Sequence, residues 1–486
     1  MTIKELIELV NPLDVSRSKP EGEIGPLVQN SRQVTDGAVF IAIRGTEVDG
    51  HLFLEDAIHR GAKVLICEES FYTDVPNVCV IEVEDTRALI GPLAQQFQGN
   101  PADKLNVIGI TGTNGKTTTA TLVYQILTAA GKKASLLGTV SKIINGQVHE
   151  SKLTTSDPIE LAADMRAMVD AGSEYLVMEV SSHALHQQRV GGIDFSVGAF
   201  TNLSHDHLDY HETIEEYAEA KKLLFDGLSD SATAVVNIDD AYGKLMLSDS
   251  KAKAMPFGFN NSNASIISSS QNGLELSING VEINTPLIGT FNAYNVAQTF
   301  LITSALGIPT NEIIAALSTA KGAAGRMESV EVDFDAPKVI VDYAHTPDAL
   351  ENVLETLREL KEPTQQLFVV FGAGGDRDTT KRPEMAEVSE RLADQIIVTS
   401  DNPRRENPDL IIAEILQGFS KTDNVTSITL REEAINNAIE RASNNDIILI
   451  AGKGHEDYQE VDGVRHPFDD RVITRKALHL KNEGGL

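Results

Sequence analysis

Residues 105–119, LNVIGITGTNGKTTT, restrict the fold of this chain more than any other stretch. LNVIGI is an uninterrupted apolar run, which suits a strand buried on both faces of a parallel sheet. A Gly-rich turn follows. The segment TTTATLVYQILTAAG then reads as a helix that stops at Gly131. Strand, glycine turn and helix in that order form the setting of a phosphate-binding loop, in which backbone N–H groups and a helix N-terminus face an anion. Gly112 and Gly115 permit close approach, Lys116 can reach outer phosphates, and Thr117 can offer a hydroxyl to Mg²⁺. The general pattern Gly-x-x-x-x-Gly-Lys-[Ser/Thr] asks for glycine at position 110, where Ile110 stands. The plainer alternative is an ordinary Gly-rich strand–helix turn.

The same alternation continues downstream. ASLLGTV, YLVMEV, SVGAFTNL and ATAVVNI read as further strands, several of them separated by helical stretches, so the middle of the chain is expected to be a doubly wound, largely parallel sheet. Residues 255–290 differ. They alternate polar and apolar and carry two Asn-Gly pairs, which predicts hairpins appended to that domain. Before residue 104, DGAVFIAI, AKVLIC and NVCVIEV with FLEDAIHRG between them predict a small α/β unit, closed by the polar turn GNPADK. After residue 333, VIVDYAHTPDAL, LFVVFGAGGDRD, IIVTSDNPRREN and IILIAGKGHEDY each run from an apolar strand into a polar or Gly-rich turn. Ligands bind outside the carboxyl ends of strands in open parallel sheets, so these four turns predict a second functional rim. The expected fold is α/β with three domains: an N-terminal α/β domain over 1–103, a central P-loop-type doubly wound domain over 104–333, and a Rossmann-like domain over 334–486.

Composition narrows the function. A chain of 486 residues is long enough for about three cores. The net charge of −30 argues against nucleic acid or an anionic membrane surface as a partner, while leaving room for a locally basic pocket. No apolar run approaches the ~20 residues of a membrane span, and MTIKELIELVNPLDV reads as an amphipathic helix without a signal-peptide pattern. A cytoplasmic monomer is expected. Cys67 and Cys79, the only two cysteines, each fall in an expected strand and read as buried inert thiols.

Two clusters follow the phosphate loop. EVSSHALHQQR places Glu179 near a strand end beside Ser181, Ser182 and His183, and SHDHLDYH gathers His205, Asp206, His207, Asp209 and His211. The histidines leave a zinc hydrolase open as a reading. A Mg²⁺ bound with a nucleotide would instead take oxygen ligands and waters, touching one carboxylate and one imidazole. His205 and His211 also fit a bland role as hydrogen-bonding loop residues. A nucleotide-binding regulator without catalysis is a third reading.

GTNGKTT, EVSSHAL, HDHLDYH with AK after it, GRME, DYAHTPDAL, GDRD with KRP, DNPR and GKGHEDYQ occur in this order across nearly the whole chain, and together they resemble the Mur ligases. The resemblance implies that ATP phosphorylates the D-glutamate carboxylate of UDP-N-acetylmuramoyl-L-alanyl-D-glutamate, and that an amino-acid amine displaces phosphate to form an amide. By position it implies that Gly112, Thr113, Asn114, Gly115, Lys116, Thr117 and Thr118 hold the ATP phosphates, with Asn292, Asn295, Arg326, Asp342 and His345 around the nucleotide. Glu179 and His207 match Mg²⁺ ligands alongside Thr117, and Lys221 matches a lysine carbamylated in the family; with Lys116 these form the implied catalytic set. Ser31, Thr46, Glu47 and Val48 fall where the family grips the uridine diphosphate end. Thr154, Thr155, Ser181, Gln187 and Arg189 fall around the muramoyl-peptide. Leu153 replaces a frequent Asn and Gln29 a frequent Leu.

DNPR speaks to the amine. Members of the family that add meso-diaminopimelate carry Arg at its fourth position, here Arg404. Diaminopimelate differs from lysine by one carboxylate, and a guanidinium binds a carboxylate through two parallel hydrogen bonds. Asp401, Asn402, Pro403 and Arg404, with Arg377 on the same rim and Gly452 and Glu456 from GKGHE, form the implied diaminopimelate site. A lysine-adding relative and a folylpolyglutamate synthetase-like ligase are the nearest alternatives.

Overall fold

A computed structural model of the chain describes residues 1–16, 22–45, 48–204, 206–260 and 263–485. The chain divides into two compact units, residues 1–262 with 297–313 and residues 263–296 with 314–486. The expected strand–helix alternation is realised as three separate, largely parallel sheets, two in the first unit and one in the second.

The N-terminal sheet runs Asp14–Val15, Cys79–Glu82, Val64–Cys67, Val39–Ile41, Leu27–Val28, parallel except for its first strand. Its opening helix, Ile3–Val10, starts in a capping box: Thr2 Oγ1 accepts from Glu5 N, and the Glu5 carboxylate accepts from Thr2 N. Ile3, Leu6 and Val10 share the buried face of that helix, as its amphipathic pattern requires. Both cysteines are buried and outside any disulfide, and burial pushes Cys67 up to about 11, which leaves it unreactive. The helix Thr86–Phe97 meets the loop 191–192 backbone to backbone. A Cβ on Gly91 would lie 2.5 Å from the Gly191 carbonyl oxygen, so only glycine fits that approach.

The central sheet has eight strands in the order Lys253–Phe257, Thr233–Asn237, Phe195–Phe200, Asn106–Thr111, Tyr175–Glu179, Ala134–Leu137, Lys142–Ile144, Gln147–His149. The first six are parallel and the last two antiparallel. LNVIGI is the buried inner strand expected. Ile110 pairs with Glu179 on one side and Ala199 on the other, so the strand continues through the position where the general loop pattern has glycine.

The second unit is built on a six-stranded sheet, Glu328–Ser329, Lys338–Asp342, Ile447–Ala451, Leu367–Phe371, Gln395–Val398, Val425–Ser427, parallel apart from the first strand. The expected hairpins form a three-stranded antiparallel sheet, Ala264–Ser270, Gly273–Ile278, Val281–Thr285. Asn279 (φ 53°) and Gly280 (φ 78°) both adopt the left-handed region in its second turn, as a two-residue hairpin of this twist demands. This sheet belongs to the second unit: Gln271 Nε2 donates to Leu360 O at 3.1 Å and to Gln365 Oε1 at 2.7 Å. Among the described residues no helix is long and apolar enough to cross a membrane.

Candidate active site

The phosphate loop is held from below by its neighbours in the sheet. Gly112 has φ 145°, and a Cβ there would lie 1.8 Å from Thr201 Oγ1. Gly115, at φ 85°, caps the helix Lys116–Ala129. Thr113 N donates to Asn202 O (2.8 Å), Asn114 N to Asn202 Oδ1 (2.9 Å), and Thr201 Oγ1 to Asn114 O (2.6 Å). Thr201 and Asn202 follow the strand Phe195–Phe200, which pairs with the strand that feeds the loop. Lys116 Nζ donates to the Gly112 and Thr113 carbonyls at 2.8 Å each, folding back over the loop. Thr118 is buried on the helix beneath.

Glu179, buried at the end of the adjacent strand, accepts from Thr117 Oγ1 (3.0 Å), Thr139 N (2.8 Å) and Thr139 Oγ1 (3.1 Å). A carboxylate and a hydroxyl thus converge beside the loop, the oxygen donors that Mg²⁺ takes together with phosphate and water. His207, at φ 56°, packs its ring against His183 (4.9 Å between centroids) and Tyr217 (6.0 Å). His205 lies outside the described residues. Among the described residues no three His, Cys, Asp or Glu side chains converge as a metal cage. His211 is buried, its Nε2 2.9 Å from Ser182 Oγ, and burial followed by the neighbouring histidines lowers it to about 4, so it is a neutral packing group.

Lys221 lies against the same loop. It is buried, donates from Nζ to Gly112 O at 2.9 Å, and lies over the Tyr217 ring at 4.1 Å. Burial, then the nearby Lys116, holds its amine well below the ordinary lysine range. Tyr217 OH is 3.2 Å from Thr113 Oγ1, so one aromatic side chain supports both the loop and the lysine.

A hydrogen-bonded cluster continues from Glu179. Thr155 Oγ1 donates to Glu179 O (2.9 Å) and accepts from Ser181 N (3.1 Å); Thr154 Oγ1 lies 3.0 Å from Thr139 Oγ1. Arg189 donates to Thr155 O (3.1 Å) and twice to Gln187 Oε1 (3.0 and 2.7 Å). These acceptors are neutral, and burial depresses the guanidinium, as expected of a cation placed to receive an anion. Ser31 is buried in the turn Ser31–Gln33 and Val48 is exposed. Thr46 and Glu47 lie outside the described residues.

In the second unit, Arg326 stacks over Tyr343 (4.7 Å), with Nε buried and unpaired. The buried Asp342 carboxylate accepts from Met327 N (2.7 Å) and Ala344 N (2.8 Å); burial raises it, opposed by Arg326 and those two N–H groups. His345 Nδ1 is 2.9 Å from Tyr343 O. Asn292 and Asn295 are buried on the helix Thr290–Ala305 and bond to each other, Asn295 Nδ2 donating to Asn292 Oδ1 at 3.0 Å.

The turns after Gln395–Val398 and Ile447–Ala451 form one network. Asn402 Nδ2 donates to Glu456 Oε2 (2.8 Å), and the fully buried Lys453 donates to Asn402 Oδ1 (3.1 Å) and Glu456 Oε2 (2.9 Å). Asp401 Oδ2 is buried without a partner; a Cβ on Gly452 would sit 2.4 Å from it. Arg431, buried and bidentate to Asp470 (2.8 and 2.7 Å), donates to Ala451 O at 2.9 Å, just before Gly452. Arg404 adopts φ 51°, donates from NH1 to Gly375 O (2.7 Å) and from N to Glu460 O (3.0 Å). Asp401, Asn402, Pro403, Arg404, Gly452 and Glu456 are therefore brought together, and Arg377 is exposed on its loop near Gly374, which Arg404 NH1 also approaches. Thr139, Thr201, Asn202, Tyr217, Arg431 and Lys453 were not singled out from sequence.

Residues 24–98 match the Mur ligase family catalytic domain, 110–303 the Mur ligase middle domain, and 325–454 the Mur ligase glutamate ligase domain. The UDP-N-acetylmuramoyl-L-alanyl-D-glutamate–2,6-diaminopimelate ligase of Cytophaga hutchinsonii is 43% identical over 484 residues, covering 98% of this chain and 99% of its own. The enzyme of the same name from Phocaeicola vulgatus is 44% identical over 461 residues, 93% and 94% of the two chains. A solved structure of a ligase of that name superposes with a TM-score of 0.71 at 32% identity, over 98% of this chain and 99% of the other. The chain belongs to the Mur ligase family.

Proposed function

We propose that this protein is an ATP-dependent ligase that joins 2,6-diaminopimelate, as its meso form, to the D-glutamate carboxylate of UDP-N-acetylmuramoyl-L-alanyl-D-glutamate, in peptidoglycan precursor synthesis. The observation that carries the choice of amino acid is Arg404. Its backbone is held in the left-handed region and its guanidinium is anchored by Gly375 O, while in the same turn Asp401 Oδ2 is buried without a hydrogen-bond partner. An anchored guanidinium suits the extra carboxylate, and an unpaired carboxylate oxygen suits an ammonium.

Phosphoryl transfer requires positioning and charge neutralisation. In this reading the N–H groups from Gly112 to Thr118 and the Lys116 ammonium bind ATP phosphates, and Arg326, Asp342, His345 and Asn292 serve the nucleotide. Mg²⁺ would be held by Thr117, Glu179 and His207, and would neutralise phosphate oxygens. Lys221 as a free amine offers no oxygen. Its burial favours the neutral form, which adds CO₂ and releases a proton to become a carbamate with two oxygens. Arg189, Gln187, Ser181, Thr154 and Thr155 orient the dipeptide end, and Ser31, Thr46, Glu47 and Val48 the uridine diphosphate. The D-glutamate carboxylate takes the γ-phosphoryl group, ADP leaves, the amine attacks the acyl phosphate, and phosphate departs as the amide forms. By sequence position the uridine diphosphate contacts fall in 1–103, the phosphate loop and Mg²⁺ residues in 104–333, and the amino-acid residues in 334–486, in a cytoplasmic monomer.

Phosphate release with ATP, Mg²⁺ and the UDP-dipeptide, measured with diaminopimelate and with lysine, tests the assignment. Release with diaminopimelate far above lysine supports it. Equal or greater release with lysine sinks it.

A further inference from the structure

Arg382 lies in the first turn of the helix Lys381–Leu392, with a fully buried side chain. A cation at a helix N-terminus opposes the helix dipole, so the helix itself gains nothing from it. Its partners lie elsewhere. NH1 and NH2 donate to the two oxygens of Glu406 at 3.0 Å each, NH1 also donates to Glu414 Oε2 at 2.7 Å, and NH2 to Gly374 O at 3.2 Å. Glu406 belongs to the loop that carries Arg404, and its carboxylate accepts in addition from Asp376 N on the other loop. The two loops touch again where Gly375 N donates to Asn402 O (2.9 Å) and Arg404 NH1 donates to Gly375 O (2.7 Å). No side chain fits between them at Gly375, where a Cβ would fall 2.0 Å from Pro403 O.

We propose that Arg382 and Glu406 are positioning residues that set the selectivity of this enzyme for diaminopimelate over lysine by fixing the Arg404 guanidinium. The proposal rests on the reading of the function given above. Arg382 fixes Gly374 and Glu406; these fix Gly375 and the turn after Pro403; Gly375 O then holds Arg404. A bidentate guanidinium–carboxylate contact tolerates little displacement, whereas lysine, lacking that carboxylate, is indifferent to it. Glu414 supplies an internal control. It neutralises the same guanidinium from the helix Pro408–Leu416 without bonding to either loop.

The test measures kcat and KM for diaminopimelate, lysine and ATP in wild type, Arg382→Lys, Glu406→Gln and Glu414→Gln, with thermal melting of each. The wild type is read first. If it does not prefer diaminopimelate, the functional reading fails and the positioning role falls with it. If it does, Arg382→Lys and Glu406→Gln raise KM for diaminopimelate about tenfold or more and lower the diaminopimelate-to-lysine ratio of kcat/KM about as much, while KM for ATP stays. Glu414→Gln leaves the ratio within about twofold. Should Arg382→Lys fail to fold, Glu406→Gln, which keeps the side-chain shape, decides. Equal loss with both amino acids, an unchanged ratio in Glu406→Gln, or an equal effect in Glu414→Gln overturns the proposal.

Discussion

The central sheet and the sheet of the second unit both place polar turns at the carboxyl ends of parallel strands, and they use those turns in opposite ways. Around Gly112 the work falls to the backbone: positive-φ glycines, a helix start, and carbonyls that tether Lys116 and Lys221. Around Asp401 and Arg404 it falls to side chains, with Arg382, Arg431 and Lys453 buried beneath the turns and paired to carboxylates. A phosphate is met by a ring of N–H groups from consecutive residues, while an amino acid with two charged ends is met by charges set at separated points.

The largest effect should come from attacking the backbone rim at its tightest point. Gly112→Ala drives a methyl into Thr201 Oγ1, and ATP turnover is expected to fall by about 10²–10³-fold, comparable to losing a key electrostatic group. Near-normal ATP binding in this variant, measured by calorimetry, would break the contrast. Arg404→Ala strikes the side-chain rim. Loss of a charge-assisted contact there should lower kcat/KM for diaminopimelate by roughly 10²-fold with ATP affinity retained. Unaltered phosphate release would remove Arg404 from the site. Tyr217→Phe is milder. It removes one neutral hydroxyl from Thr113 and keeps the ring under Lys221, so about 1 kcal/mol of loop stabilisation is at stake, read as a several-fold rise in KM for ATP.

The smallest effect concerns pH and is shared. His211 in the first unit is lowered to about 4, by burial and then its neighbouring histidines. His455 in the second is lowered to about 4 by burial and then Arg326 and Arg471. Below the ordinary histidine range the unfolded chain takes up a proton before the folded one does, so stability falls as pH drops from about 6.5 towards 4 and levels off beneath. His211→Gln and His455→Gln should each flatten that acid limb of the melting temperature by a few degrees. A slope unchanged in both variants would show that these rings carry none of it.

The two rims were not equally legible. Gly112, Gly115, Lys116 and Thr117 stand next to one another because a backbone cradle is local, and a local device leaves a motif. Its supports are not local. Asn202 and Tyr217 lie some distance along the chain, and reaching them requires knowing that Phe195–Phe200 pairs beside Asn106–Thr111. Ile110 departs from the general pattern because the strand still needs a paired, buried residue there. In the second unit DNPR and GKGHE stand out, whereas Arg382 enters only as the middle of KRP and nothing in the sequence marks Arg431. Only tertiary packing separates a buried cation from a solvated one. Arg377 is exposed on its loop, with its side chain and the Arg404 guanidinium both close to Gly374.

The three-stranded sheet Ala264–Thr285 bears on how this protein can be cut. Its sequence falls within the middle-domain match, whereas Gln271 bonds to Leu360 and Gln365, and Ile288, just beyond the sheet, packs in the same cluster as Leu354 and Leu357. A recombinant fragment starting at residue 334 would leave these hairpins behind, uncovering apolar surface around Leu354 and Leu357 and removing the Gln271 contacts to Leu360 and Gln365. A soluble C-terminal fragment, or a chimera that exchanges amino-acid specificity between relatives, should instead begin ahead of residue 263 and carry the hairpins with it. Module swapping in this architecture therefore follows contacts rather than the order of sequence motifs.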